Sequence, residues 1–244
     1  MTDAGATATT ATTTYRPRVK ICGVRTVDEA LLALELGADL IGLNFYKPSP
    51  RYVDEDTARR IVEETESRWA AQGGAAARDG ARWAGVFVNE PVDEVLAFGE
   101  RVGLDLCQFH GDETVEDLAA VGSRGLKAFR VKDRLDVDTL EPWLALGLWG
   151  FVVDSRHPTL YGGSGESWNF ASMNDPSLAE KLRGERVLIA GGIDPDNVQQ
   201  AAGSARPWGL DLCSGVEAAP GKKDPALMRR FFEEIRHVES TSAA

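Results

Sequence analysis

Cysteine is scarce in this 244-residue chain: Cys22, Cys107 and Cys213 are widely spaced and odd in number. That is a poor disulfide framework and fits a reducing, cytoplasmic setting, and with no C-x-x-C pair a structural zinc site is not expected. No metal and no cofactor is expected. Long apolar runs are also missing; no stretch reaches the roughly 18 residues that a membrane span requires. Basic charge is in deficit, with 27 Lys and Arg against 38 Asp and Glu and a formal net charge of -11. A nucleic-acid backbone is held by surplus positive charge, so no such partner is expected. A small anionic substrate stays open, because a local cluster of amide donors and one or two arginines overrides a distant field. The opening MTDAGATATTATTT has neither the basic start nor the leucine-rich core of a secretory signal. Residues 1–16 are therefore expected to be a disordered tail.

What the chain does contain is one pattern repeated. Short apolar stretches, VKIC, DLIGLNF, RWAGVFV, LDLCQFH, LKAFRV, WGFVVD, RVLIA and WGLDLC, each precede a segment with helical signals. The first helix is marked at both ends: Thr26 and Glu29 form a capping box, Val27, Ala30, Leu31 and Leu34 make an apolar stripe, and Gly37 stops it. A second helix is expected from about Asp54 to Trp69, and a third after Pro91 on the stripe Val92, Val95, Leu96 and Gly99. Asp194-Pro195 and Asp224-Pro225 read as caps followed by a first-turn proline, the latter opening a helix with Met228, Phe231, Phe232 and Ile235 on one face. Near-continuous apolar strands alternating with amphipathic helices indicate a parallel sheet covered by helices. Eight such units in about 220 residues close into a single-domain (β/α)8 TIM barrel, expected over residues 17–238 with a C-terminal tail at 239–244. The Ala/Gly-rich residues 70–81 are expected to be a flexible surface insertion.

In such a barrel the reacting groups come from the carboxyl ends of the strands and the loops that follow. The candidates are Cys22 in KICGVRT, Arg51, Asn89, Gln108, His110, Asp154, Asp211 and the glycines of AGGI and CSGVE. A strand-end cysteine also reads as a small buried hydrophobe, and Asp154 as a capping aspartate. Asp211 either faces the mouth or is locked to a neighbour. His110 either contacts substrate or satisfies a backbone carbonyl.

Eight collinear motifs, KICGVRT, GLNFYKPSPRYV, AGVFVN, CQFHGDE, the strand ending in Asp154, YGGSGESWNF, IAGGIDPDNV and LDLCSGVEAAPGKKD, resemble those of the phosphoribosylanthranilate isomerase family over residues 18–232. The resemblance implies a TIM barrel that catalyses an Amadori, aldose-to-ketose step of tryptophan biosynthesis on a small phosphorylated substrate. It makes Cys22 the general base and Asp154 the general acid. Arg51 receives the anthranilate carboxylate, with His110 and Asp211 also against the substrate. The phosphate lies over the loops carrying Gly163, Gly191, Gly192, Ser214 and Gly215. Cys107 and Cys213 are left as packing residues. The chain departs from the family where GGSGESWNF stands for the usual GGTGKTFDW, placing Glu166 for a lysine and Asn169 for an aspartate, and where Cys213 replaces a small polar residue. Alternative readings are an isomerase of a histidine-pathway phosphoribosyl-amine, which carries aspartate at the position of Cys22, and a non-catalytic ligand-binding barrel. A third alternative is a metal site, because Cys22 and Cys213 become neighbours once the last strand closes on the first, with Cys107 and His110 across the mouth. The sequence leaves monomer and homodimer both open.

Overall fold

A computed structural model describes residues 15–74, 80–131, 135, 137–155, 180, 182 and 184–241. Eight parallel strands close into a barrel in sequence order: β1 (Arg18–Cys22), β2 (Leu40–Asn44), β3 (Arg82–Phe87), β4 (Leu106–Phe109), β5 (Gly125–Val131), β6 (Gly150–Ser155), β7 (Val187–Ala190) and β8 (Gly209–Leu212). Closure comes from β8 lying beside β1, with Arg18 opposite Gly209 and Ile21 opposite Leu212. The described helices are α1 (Val27–Leu36), α2 (Glu55–Ala71), α3 (Val92–Val102), α4 (Val137–Leu144), α5 (Val198–Ala205) and α6 (Pro225–Thr241). A small antiparallel pair, β9 (Glu217–Ala219) and β10 (Lys222–Lys223), stands between β8 and α6.

The caps work largely as the sequence implies. Thr26 accepts from the Glu29 amide at 3.2 Å, while the Glu29 carboxylate reaches one residue further back than a standard box, to the Arg25 amide at 2.7 Å. Its other oxygen takes the Lys223 amide at 3.1 Å, so one cap ties α1 to the β9–β10 pair. Asp224 receives the amides of Ala226 and Leu227, and Met228, Phe231, Phe232 and Ile235 of α6 are all buried. Asp194 instead starts a turn. Its Oδ1 takes the amides of Asp196 and Asn197, and α5 begins only at Val198. The unit after β4 also departs from the expected helix. Residues 115–121 form successive turns that end in a 3-10 turn at Gly122–Arg124, although Thr114 and Asp117 bond each other's amides in the manner of a helix cap. The helix expected after β6 and the core of the Ala/Gly-rich stretch lie outside the described residues. Tyr15 and Arg16 are held to the body: the Tyr15 hydroxyl donates to Pro207 O at 2.8 Å, and Arg16 pairs with Asp39.

Strand alternation separates two packed layers. Val19 and Ile21 of β1, Phe151 and Val153 of β6, and Leu210 and Leu212 of β8 face the helices. Leu40, Ala84, Leu106, Leu126, Val152 and Leu188 fill the barrel axis. At the amino ends of the strands Trp149 and Trp208 meet edge to face, 5.2 Å between ring centroids, and help close the floor. Chemistry is thereby confined to the opposite end. Among the described residues no helix is long and apolar enough to cross a membrane.

Candidate active site

The carboxyl ends of the strands surround a cavity. Cys22, Arg51, His110, Asp154 and Asp211 all line it, from β1, the loop after β2, the end of β4, β6 and β8. Gly191, Gly192 and Ser214 line its rim, and Gly215 follows directly in the chain. Gly163, with Glu166 and Asn169, lies outside the described residues. Asn89 does not line this cavity. Its side chain accepts from the Asp112 amide and its backbone holds a positive φ of 56°, a turn-stabilising role.

Cys22 is buried on the inward face of β1, two residues above Lys20. The space for its sulfur is left by Gly42 on β2, paired opposite it; a Cβ there would stand 3.0 Å from both the Cys22 Cα and Sγ. The hydrogen bond from the Cys213 thiol holds the Cys22 thiol well below its ordinary pKa. Burial opposes this, and the Lys20 and Lys223 ammonium groups reinforce it. Cys213 moves the other way, pushed up by its bond to Cys22 and by burial. A negative sulfur at Cys22 is the state this setting favours. Gly42→Ala is expected to lower kcat by about ten- to a hundredfold with a small change in KM, since a displacement below 1 Å suffices to misplace a reacting atom. Steady-state kinetics beside a thermal melt check it; unchanged kcat would mean that Cys22 has room to spare.

Lys20 is fully buried and donates to Asp211 Oδ2 at 2.7 Å. Burial pushes the Asp211 carboxyl up to about 7, with Lys20 pulling the other way, and its Oδ1 is buried with no partner among the described residues. Asp211 is thus both locked to a neighbour and turned to the cavity. Across the mouth, Gln108 Nε2 lies 2.8 Å from His110 Nδ1, and His110 Nε2 lies 3.1 Å from Asp154 Oδ2. With the Gln108 amide oriented to donate, Nε2 carries the hydrogen and gives it to the carboxylate. Both ring nitrogens of His110 are therefore engaged by protein, one of them by Asp154.

Arg51 is not a bare surface arginine. Its Nε and Nη2 grip both oxygens of Glu217, at 2.9 and 2.8 Å, which leaves Nη1 uncommitted among the described residues. Lys223 Nζ binds the same carboxylate at 2.9 Å and Cys213 O at 3.0 Å. This buried cluster fixes the loops after β2 and β8 to each other, as a two-pronged guanidinium pair does best. On the rim, Gly191 and Gly192 have φ of 98° and 62°, and Asn197 Nδ2 fastens Gly192 O at 2.7 Å. A Cβ on Gly215 would fall 1.9 Å from Ile193 O, so the loops after β7 and β8 touch backbone to backbone. Glycine is required there. Lys20, Gly42, Glu217 and Lys223 escaped sequence reasoning as site residues. The usable signal was a charge inside an otherwise apolar strand, VKIC. Among the described residues no group of three or more His, Cys, Asp or Glu is placed to hold a metal.

Comparison with known proteins agrees with this arrangement. The family model described as N-(5'-phosphoribosyl)anthranilate (PRA) isomerase matches residues 19–234. The N-(5'-phosphoribosyl)anthranilate isomerase of Geotalea uraniireducens is 38% identical over 219 residues, covering 90% of this chain and 98% of its own. The solved phosphoribosyl anthranilate isomerase of Thermus thermophilus superposes with a TM-score of 0.75 at 33% identity, over 90% of this chain and 98% of its own. A solved phosphoribosyl anthranilate isomerase in complex with reduced 1-(O-carboxyphenylamino)-1-deoxyribulose 5-phosphate superposes at 0.72 with 28% identity, over 91% and 99%. With a closed eight-stranded barrel, a cysteine and an aspartate facing one cavity, and a family match over nearly the whole described body, this chain belongs to the N-(5'-phosphoribosyl)anthranilate isomerase family.

Proposed function

We propose that the cavity binds N-(5-phosphoribosyl)anthranilate and converts it to 1-(2-carboxyphenylamino)-1-deoxyribulose 5-phosphate, with Cys22 as base and Asp154 as acid. The substrate is an aminofuranose. Opening its ring requires a proton at the ring oxygen as the nitrogen lone pair forms a double bond to C1'. The cation so formed acidifies the hydrogen on C2', which a base removes to give an enolamine, and this tautomerises to the ketone. Asp154, steadied by His110, delivers the first proton; Cys22, held as thiolate, takes the second. The observation that carries the reading is a thiol with a depressed pKa and a histidine-oriented carboxyl in one cavity.

The remaining groups bind. The phosphate rests on the amides of Gly191, Gly192, Ser214 and Gly215, where two glycine-bearing loops meet. This end-of-barrel placement after β7 and β8 suits an anion. Asp211 offers its unpartnered Oδ1 to a sugar hydroxyl. Arg51, anchored by Glu217, has Nη1 left for the anthranilate carboxylate. The free state of all three cysteines supports a cytoplasmic setting.

The direct test is to follow the fluorescence of phosphoribosylanthranilate with purified protein. Protein-dependent loss of signal supports the assignment, and an unaccelerated baseline sinks it. Arg51→Ala is expected to raise KM about ten- to a hundredfold, because a charge-assisted hydrogen bond is worth roughly 1.5 to 3 kcal/mol. Glu217 keeps Lys223 as its partner in that variant, so the fold is retained. Arg51→Lys should fail to restore KM, since a point charge cannot hold Glu217 with two prongs while reaching the ligand. A KM unmoved by either change would leave Arg51 as a purely structural anchor.

A further inference from the structure

Two of the three cysteines meet at the point where the barrel closes. Cys22 is the last residue of β1 and Cys213 the first residue beyond β8, each one step past the paired Ile21 and Leu212. Adjacent strands run about 4.8 Å apart, inside the Cα separation of roughly 4.4 to 6.8 Å that a disulfide spans. Both side chains line the same cavity, yet both are free. Cys107 offers an internal contrast. It is fully buried on the outer face of β4, its thiol directed to Val95 O, and burial raises its pKa to about 11.

We infer that Cys22 and Cys213 form a reactive dithiol, a modification site that a hydroperoxide closes into a disulfide between β1 and β8. The Cys22 thiolate attacks the peroxide oxygen and displaces an alkoxide, or hydroxide from hydrogen peroxide, which takes a proton from solvent, and Cys22 is left as a sulfenic acid. The Cys213 sulfur then attacks the Cys22 sulfur, the S–S bond forms, and the sulfenic hydroxyl departs with the Cys213 proton as water. Two thiols are oxidised by two electrons and one peroxide is reduced by two. The charge pattern orders the steps. While Cys22 is anionic it keeps Cys213 protonated, and once Cys22 is a neutral sulfenic acid that restraint is gone. The cations of Lys223 and Arg51 then favour the Cys213 thiolate. The loss of turnover that should follow rests on the role given to Cys22 above; the chemistry of the pair does not.

The experiment treats the reduced full-length protein with hydrogen peroxide and reads intact mass, non-reducing tryptic maps and isomerase rate, each before and after dithiothreitol. The expected result is a mass lower by about 2 Da, a cross-link joining the peptides of Cys22 and Cys213, and a rate falling at least tenfold and recovering with dithiothreitol. Cys107→Ser should form the same cross-link. Cys213→Ser should instead accumulate oxygen adducts at Cys22 that a sulfenic-acid probe captures. Oxygen adducts at Cys22 in the wild type, with no cross-link, overturn the dithiol. A cross-link formed without loss of turnover leaves the dithiol standing and removes Cys22 from catalysis, so the two readings fail separately.

Discussion

Cys22→Ser is expected to lower kcat by about a thousandfold or more, with KM within a few-fold of wild type and an unchanged melting temperature. General-base catalysis contributes roughly 10²- to 10⁴-fold, and the serine hydroxyl is too weakly acidic to be held as its anion at any working pH. The same Cys213, Lys20 and Lys223 that depress a thiol from an ordinary value of 9.0 start, for an alcohol, from a point far above it. The volume is nearly conserved, so the space opposite Gly42 is still filled. The wild-type pH profile carries the sign. A base works only when deprotonated, so kcat/KM is present above its pKa and falls as pH drops through it. Because that pKa is lowered, the acid limb should lie well below the range of a free thiol. Lys20→Met should move the limb upward by removing one of the cations, although it also frees Asp211. A Cys22→Ser enzyme within a few-fold of wild type, or an acid limb at the value of a free thiol, would remove Cys22 as the base.

The strands were legible because a sheet buried on both faces is written in nearly unbroken apolar residues, and the caps at Thr26 and Asp224 because a side chain and the amides that donate to it lie within one turn. The candidates Cys22, Arg51, His110, Asp154 and Asp211 were legible as polar residues at strand ends, and all five face one cavity. What periodicity does not encode is partnership between distant segments. Lys20 and Asp211 are 191 positions apart and Arg51 and Glu217 are 166 apart, so that a buried charge in VKIC or SGVE is explained only once β8 closes on β1. The β9–β10 pair is too short for any alternation, and its function is to present Glu217 and Lys223. Cys213 reads in sequence as a packing residue, a neighbour of Cys22 only once the last strand closes on the first. In space the closure of β8 on β1 sets it beside Cys22 on one cavity.

Asp154→Asn should cost turnover by roughly 10²- to 10⁴-fold with KM little changed. The amide keeps the shape of the carboxyl, and its oxygen still accepts the hydrogen of His110 Nε2, now 3.1 Å from Asp154 Oδ2, so the side chain stays aimed at the cavity. What it loses is the proton for the ring oxygen, and without ring opening the hydrogen on C2' is not acidic enough for the Cys22 thiolate to remove. His110→Phe should give a milder loss, since Asp154 then keeps its proton-donating capacity but not its orientation. The competing acid is Asp211, whose carboxyl burial lifts to about 7 and whose Oδ1 has no partner among the described residues. An acid acts only while protonated, so an enzyme using Asp211 would lose kcat/KM as pH rises through about 7, and Asp211→Asn would abolish turnover while Asp154→Asn spared it. If Asp154 is the acid, Asp154→Asn is the slower of the two at every pH, and Asp211→Asn acts mainly on KM through its contact with the sugar. Measuring kcat and KM of both variants across pH separates the two carboxyls: a fast Asp154→Asn enzyme would transfer the role of acid from β6 to β8.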